Sequence, residues 1–315
     1  MTTSNQNVTT RRRVLQCMGW GTAGILWTVS GGVPRAQTLD AKGALDTKSE
    51  QLAAADFTFV QVSDSHIGFT KDPNPTPDAT LREALQKIAV MPKRPAFVLH
   101  TGDVSHLSKP SEFEAASGIM QTTGLQTFYV PGEHDTINDD GKEFFSRFSP
   151  KGAQPGGWYS FDQNGIHFIG LVNTVGLKDG GLGYLAPEQL AWLEADTKGL
   201  SASTPIVVFA HMPLWSLYPQ WGWGTDGSDQ ALATLKRFGS VTVLNGHIHQ
   251  IVQKVEGTVT FQTARSTAYP QPAAGQAAGP GPLHVAADQL RSAIGVRDID
   301  FAGMKLAIAD KALQS

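Results

Sequence analysis

The chain has 315 residues, 41% hydrophobic and 17% charged, enough to bury a full core as one domain, and nothing in it demands a second. A formal net charge of -3, with no Lys/Arg stripe beyond the N-terminus, excludes a nucleic-acid partner held by phosphate neutralisation. The single cysteine, Cys17, excludes an internal disulfide. Residues 1–37 read as a targeting segment: Thr10-Arg11-Arg12-Arg13-Val14-Leu15 is a twin-arginine pattern, followed by an apolar, glycine-containing stretch from Met18 to Val33 and a cleavage point near Pro34-Arg35-Ala36. The stretch is short and glycine-rich for a membrane span, and Cys17 precedes it, against a lipid anchor; an amphipathic N-terminal helix or an uncleaved anchor is the alternative. The expectation is export by the twin-arginine route to the periplasm, with no stable membrane anchor.

Residues 38–55 are polar and alanine-rich and read as a linker. The core, 56–270, opens with a strand at Phe57 to Val62, a proline-broken loop, and a helix from Asp78 to Val90 whose Leu81, Ala84, Leu85 and Ile88 share one face. A strand at Ala96 to Leu99, a helix from Ser111 to Gln121 carrying Phe113, Ala116 and Met120, and a strand at Thr127 to Val130 follow. Trp158 to Asp162 and Ile166 to Val172 form a hairpin. Pro187 opens a helix to Thr197, Pro205 a strand, then a helix from Gln230 to Phe238, a strand from Val241, and a hairpin around Gly257. Residues 271–315 read as a Pro/Gly-rich linker and a C-terminal extension, with a helix at Val285 to Ile294 and a strand at Val296 to Phe301. βα units mixed with hairpins predict mixed sheets covered by helices.

The apolar runs end in donor residues. Asp64-Ser65-His66 follows the first strand, Gly102-Asp103 the second, and Gly132-Glu133-His134-Asp135 the third; His211 follows the Pro205 strand, and Gly246-His247-Ile248-His249 the Val241 strand. Carboxylates and imidazoles are the donors that bind divalent or trivalent first-row metals, and strand ends are where α/β sheets bind ligands.

Together these motifs resemble the calcineurin-like metallophosphoesterase signature of DxH, GD, GNH(D/E), H and GHxH, over roughly Phe57 to Ala268. Within that superfamily the chain is most similar to class III cyclic nucleotide phosphodiesterases and glycerophosphodiesterases. Where purple acid phosphatases place a tyrosine, three residues after the bridging aspartate, this chain has His106. The resemblance implies a four-layer αββα sandwich, in the α/β class, with a dinuclear metal centre. In that centre Asp64, His66, Asp103 and His249 would hold one ion. Asp103 would bridge to a second ion, completed by Glu133, His211 and His247. His134 would protonate the leaving oxygen or steady the phosphoryl group, with Asp135 orienting its ring.

The implied reaction is hydrolysis of a phosphomonoester or phosphodiester by metal-activated hydroxide, on a small-molecule phosphate ester. The alternative is a non-catalytic metal- or anion-binding protein on the same fold. The family has asparagine where this chain has Glu133. Two divalent ions (+4) against Asp64, Asp103, Glu133 and a hydroxide (-4) leave a neutral centre, against +1 with asparagine. One expectation is therefore iron(III) beside zinc, manganese or a second iron; the other is weakened phosphate-ester turnover.

Candidates for touching substrate are His106, Arg265 and Trp215, the last with Tyr218, Trp221 and Trp223 on an aromatic loop that would wall the site or seal the fold. Arg265 has a surface salt bridge as its alternative. His100, His167 and His284 read as structural or surface residues.

Overall fold

A computed structural model describes residues 24–30, 33–39, 56–302 and 305–314. The chain forms two units, Met1–Ala55 and Asp56–Ser315. In the first, β1 (Gly24–Ser30) and β2 (Val33–Leu39) pair antiparallel with Gly24 opposite Leu39. The expected cleavage point at Pro34 to Ala36 falls in β2. The twin-arginine pattern at Arg11 to Arg13 and residues 40–55 of the expected linker lie outside the described residues. Among the described residues, no helix is long and apolar enough to cross a membrane.

The second unit begins with β3 (Phe57–Val62), α1 (Pro77–Ala89), β4 (Phe97–His100), α2 (Pro110–Gln121), β5 (Gln126–Tyr129) and α3 (Lys142–Phe148). Strands β3, β4 and β5 are parallel neighbours, so their carboxyl ends share one edge. Both α1 and α2 begin at proline, which loses no hydrogen bond in the first helical turn. The expected face of α1, Leu81, Ala84, Leu85 and Ile88, packs in one core with Phe113, Met120, Phe144 and Phe148 against Val60, Val62 and Val98 of the sheet.

The chain continues through β6 (Tyr159–Gln163), β7 (Ile166–Gly170), β8 (Gly183–Tyr184), α4 (Pro187–Thr197), β9 (Ile206–Phe209), β10 (Thr225–Asp226), α5 (Ser228–Leu235), β11 (Val241–Asn245), β12 (Gln253–Glu256) and β13 (Val259–Thr263). A six-stranded sheet has the order β12-β13-β11-β9-β7-β6, and the short β8 and β10 pair apart from it. Asn164 and Gly165, both at positive φ, turn β6 directly into β7, the backbone a tight hairpin requires. Leu193, Leu232 and Leu235 of α4 and α5 cover this sheet through Ile206, Val208, Val241 and Val243.

The two sheets meet through aromatic rings. Phe59 and Phe97 of one sheet lie edge-on to Phe168 of the other, at 5.4 and 5.3 Å, and Phe128 stacks on Phe161 at 3.9 Å. Helix, sheet, sheet, helix is the four-layer αββα sandwich expected, with mixed sheets.

Beyond Pro270 the expected strand at Val296 to Phe301 is present, and the rest differs from expectation. The helix shrinks to α6 (Leu290–Ala293), while β14 (Gly295–Ala302) and β15 (Lys305–Ala312) complete a five-stranded sheet of order β15-β14-β3-β4-β5. The core therefore extends past residue 270, because β14 pairs antiparallel with β3 along Phe57 to Gln61. The Gln271 segment is tied to the core as well, since its Nε2 donates to the His247 carbonyl at 2.8 Å.

Candidate metal centre

The carboxyl ends of β3, β4, β5, β9 and β11 deliver Asp64, His66, Asp103, Glu133, His211, His247 and His249 to one place. Two groups of donor atoms converge there: Asp64, His66, Asp103 and His249, and Glu133, His211 and His247. Asp103 Oδ2 lies between them, 3.5 Å from His66 Nε2 and 3.4 Å from His211 Nε2.

The loops that carry these residues hold one another. His247 N–H donates to Asp64 Oδ1 and His134 N–H to Asp103 Oδ1, each at 3.0 Å, and His66 N–H donates to the Asp103 carbonyl at 2.9 Å. Two glycines make the approach possible. A Cβ at Gly132 would lie 1.9 Å from Asp103 Oδ1, and one at Gly246 2.1 Å from Ser63 Oγ.

Outer contacts set the histidine tautomers. His211 Nδ1–H donates to the Thr101 carbonyl at 2.7 Å and His249 Nδ1–H to the Tyr269 carbonyl at 2.6 Å. A carbonyl only accepts, so in each neutral ring the bare nitrogen is Nε2, the one turned inward. His249 Nε2 and His66 Nε2 then face each other at 3.3 Å. Glu133 spans the second group, Oε2 at 2.8 Å from His211 Nε2 and Oε1 at 3.0 Å from His247 Nδ1. Yet Glu133 Oε2, His211 Nε2, His247 Nδ1 and Asp64 Oδ2 are buried without a hydrogen bond. Short approaches without hydrogen-bond geometry are what donor atoms aimed at a common point produce, and buried orphans of this kind require a partner. Oxygen and imidazole donors in fours fit first-row metal ions.

The electrostatics agree. Burial pushes the Glu133 and Asp64 carboxyls up, but the adjoining imidazoles, His247 and His211 for Glu133 and His249 and His211 for Asp64, outweigh it and lower both. Burial and the neighbouring rings of His134, His249 and His106 hold His66 well below the usual imidazole range. Among the described residues, no Lys or Arg forms an ion pair with Asp64, Asp103 or Glu133, and the charged-group partners of the three carboxylates are imidazoles.

Beside the ligands, His134 stacks on His106 at 4.9 Å and donates Nδ1–H to the His106 carbonyl at 2.7 Å. Burial lowers the His134 pKa, and the charges of Asp103 and Glu133 more than restore it, raising it above the usual value. Asp135 does not touch that ring. Its carboxylate accepts from the backbone N–H groups of Val104, Ser105 and Gly132 and from Ser105 Oγ, because the 3-10 turn Glu133–Asp135 sends adjacent side chains in different directions. The orientation of His134 expected from Asp135 comes instead from His106.

Two further expectations are corrected. Arg265 donates Nη1–H to the Ser292 carbonyl at 2.7 Å, which engages its guanidinium with α6 and not with any of the seven donor residues. Trp215 is buried and packs on Phe261 at 5.1 Å in the second sheet's core, where it lines a 1040 Å³ cavity that none of the seven donor residues borders. Tyr218, Trp221 and Trp223 pack on one another, sealing their loop. His106 does reach the centre, 3.4 Å from His66 Nδ1. His100 is a core residue hydrogen-bonded to Ser65 Oγ at 3.0 Å, its pKa pushed down to about 3 by burial.

Tyr269 escaped the sequence reading. Its ring stacks on His66 at 4.8 Å while its carbonyl holds His249. An aromatic twenty residues after the last donor histidine, His249, carries no motif; only the fold brings it back.

Known proteins resemble this chain in sequence and fold. The profile of the calcineurin-like phosphoesterase family matches residues 57–251. A 3',5'-cyclic-nucleotide phosphodiesterase from Nostoc is 29% identical over 177 residues, and a glycerophosphodiester phosphodiesterase from Enterobacter lignolyticus 24% identical over 189. These alignments cover 55% and 57% of this chain, which spans 62% and 65% of the length of the two curated relatives. Among solved structures, a dimetal phosphatase from Danio rerio superposes with a TM-score of 0.63 at 14% identity, covering 82% of this chain and 96% of its own. A purple acid phosphatase from yellow lupin gives 0.58 at 11% identity, over 89% of this chain and 54% of that one.

Proposed function

Because the chain belongs to the calcineurin-like phosphoesterase family, we propose that it hydrolyses a small-molecule phosphate ester, mono- or diester, at a centre of two metal ions. The observation that carries this reading is the position of Asp103 Oδ2 between one histidine of each donor group. Asp64, His66, Asp103 and His249 would hold one ion; Glu133, His211 and His247, with Asp103 shared, would hold the other. When bound, the ions would supply Lewis acidity to the phosphate oxygens and an activated water as nucleophile.

The chain's own groups supply the rest. With Nδ1–H engaged by the His106 carbonyl, His134 carries a transferable proton on Nε2 when protonated, and delivers it to the leaving oxygen. Asp135 holds the backbone of Gly132, Val104 and Ser105 together, so the loops bearing Asp103 and His134 keep their spacing.

Three carboxylates with no Lys or Arg paired to them among the described residues support a more highly charged metal pair. Two divalent ions and one hydroxide sum to zero with Asp64, Asp103 and Glu133, and iron(III) beside zinc, manganese or a second iron raises the sum to +1. Elemental analysis paired with hydrolysis of bis(p-nitrophenyl) phosphate and p-nitrophenyl phosphate tests the reading. Two metals per chain with turnover is the expected result, one of them iron. A folded, metal-free protein overturns it, and two metals without turnover on either ester favours a non-catalytic metal- or anion-binding role.

A further inference from the structure

We propose that the His106 side chain is a positioning residue for the first metal site: it accepts a hydrogen bond from His66 and so fixes which His66 nitrogen faces the ion. The inference rests on the two-metal reading above.

His66 Nε2 is turned inward, 3.3 Å from His249 Nε2 and 3.5 Å from Asp103 Oδ2. To bind an ion there it must be bare, so the proton of the neutral ring must sit on Nδ1. For His211 and His249 the corresponding Nδ1–H is taken by a main-chain carbonyl, of Thr101 and Tyr269. For His66 the group at Nδ1 is His106 Nδ1, at 3.4 Å. His66 is thus the ligand whose outer hydrogen bond, among these three, depends on a replaceable side chain. His106 accepts at Nδ1 only with its own proton on Nε2.

The surroundings hold His106 in that pose. Its ring lies between the parallel face of His134, 4.9 Å away, and the edge-on ring of Phe69 at 5.1 Å. Next along the chain, Leu107 N–H donates to Glu112 Oε2 at 2.7 Å, which pins the loop from the α2 side. The main chain of the same residue accepts from His134 Nδ1–H. One residue therefore serves two rings by separable means, its side chain for His66 and its carbonyl for His134. Replacing the side chain should disturb metal binding and leave the His134 tautomer intact.

The test is titration of the metal-free full chain with Mn2+ by calorimetry, in wild type, His106→Phe and His106→Asn. Phenylalanine keeps the ring packing and removes the acceptor; asparagine keeps an acceptor oxygen. Ligand-supporting hydrogen bonds of this kind contribute about 10–100-fold in metal affinity. The expected result is a loss of that size for one of two Mn2+ equivalents in His106→Phe and a clearly smaller loss in His106→Asn. The metal-free melting temperature should be unchanged in both. Wild-type affinity for both equivalents in His106→Phe, equal losses in both variants, or a raised KM that excess Mn2+ does not relieve would each overturn the proposal. A wild-type chain that takes up no metal would instead sink the two-metal reading, and this proposal with it.

Discussion

Asp64, His66, Asp103, His247 and His249 sit at positive φ, between 42° and 67°. That backbone costs roughly 1–3 kcal/mol per residue and persists only where the surroundings over-determine it; here the cross-loop hydrogen bonds to Asp64 and Asp103 do so. Strain concentrated on donor residues marks the centre independently of any motif. The role given to His134 predicts a graded defect. His134→Ala should lower kcat by about 10²–10⁴-fold for an alkyl phosphodiester, whose leaving oxygen needs a proton. It should lower kcat far less for bis(p-nitrophenyl) phosphate, whose leaving group departs as the anion; equal losses on both would remove His134 as the acid. The donor residues were legible because each closes an apolar run. Asp135 was misread because adjacency in Glu133-His134-Asp135 says nothing about direction, and the short helical turn decided it. Arg265 and Trp215 were misplaced because nearness to a motif is not nearness to the site.

Among the elements, β3 to β13 were largely legible, since alternation and turn residues announced them. Strand β14 was legible as Val296 to Phe301 but its place beside β3 was not, and β15 was not read at all. Arg297, Asp298, Asp300, Asp310 and Lys311 interrupt their apolar pattern, and only the fold neutralises most of these charges. Arg297, fully buried, pairs through Nε and Nη2 with both Asp310 oxygens at 2.9 Å and donates Nη2–H to the Thr263 carbonyl in the other sheet; Lys311 pairs with Asp298 at 2.7 Å. Removing one partner of such a buried pair leaves an uncompensated charge. Asp310→Ala should therefore destabilise the fold by about 3–5 kcal/mol, read as a lower urea midpoint, whereas replacing both residues with apolar ones should recover much of the loss. A midpoint unchanged in Asp310→Ala would mean that solvent reaches Arg297.

At the scale of the whole molecule, each proposed ion takes ligands from both sheets: Asp64, His66, Asp103 and Glu133 follow strands of one, His211, His247 and His249 strands of the other. Metal occupancy should thus stabilise the sandwich as a unit. At a free metal concentration of 100 Kd the gain per site is about 2.7 kcal/mol, and adding a chelator should lower the calorimetric melting temperature by about 5–10 °C for a single site of that strength. An unchanged melting temperature after verified metal removal would place the metals outside the cooperative structure. The position of β14 also sets a schedule for the nascent chain. Its partner β3 is made first, yet one edge of β3 stays open until residue 302 has been synthesised, roughly 12–48 s later at ordinary elongation rates. For that interval Phe57 to Gln61 presents an unpaired, apolar edge on the ribosome, the point at which a holding chaperone would have most to protect.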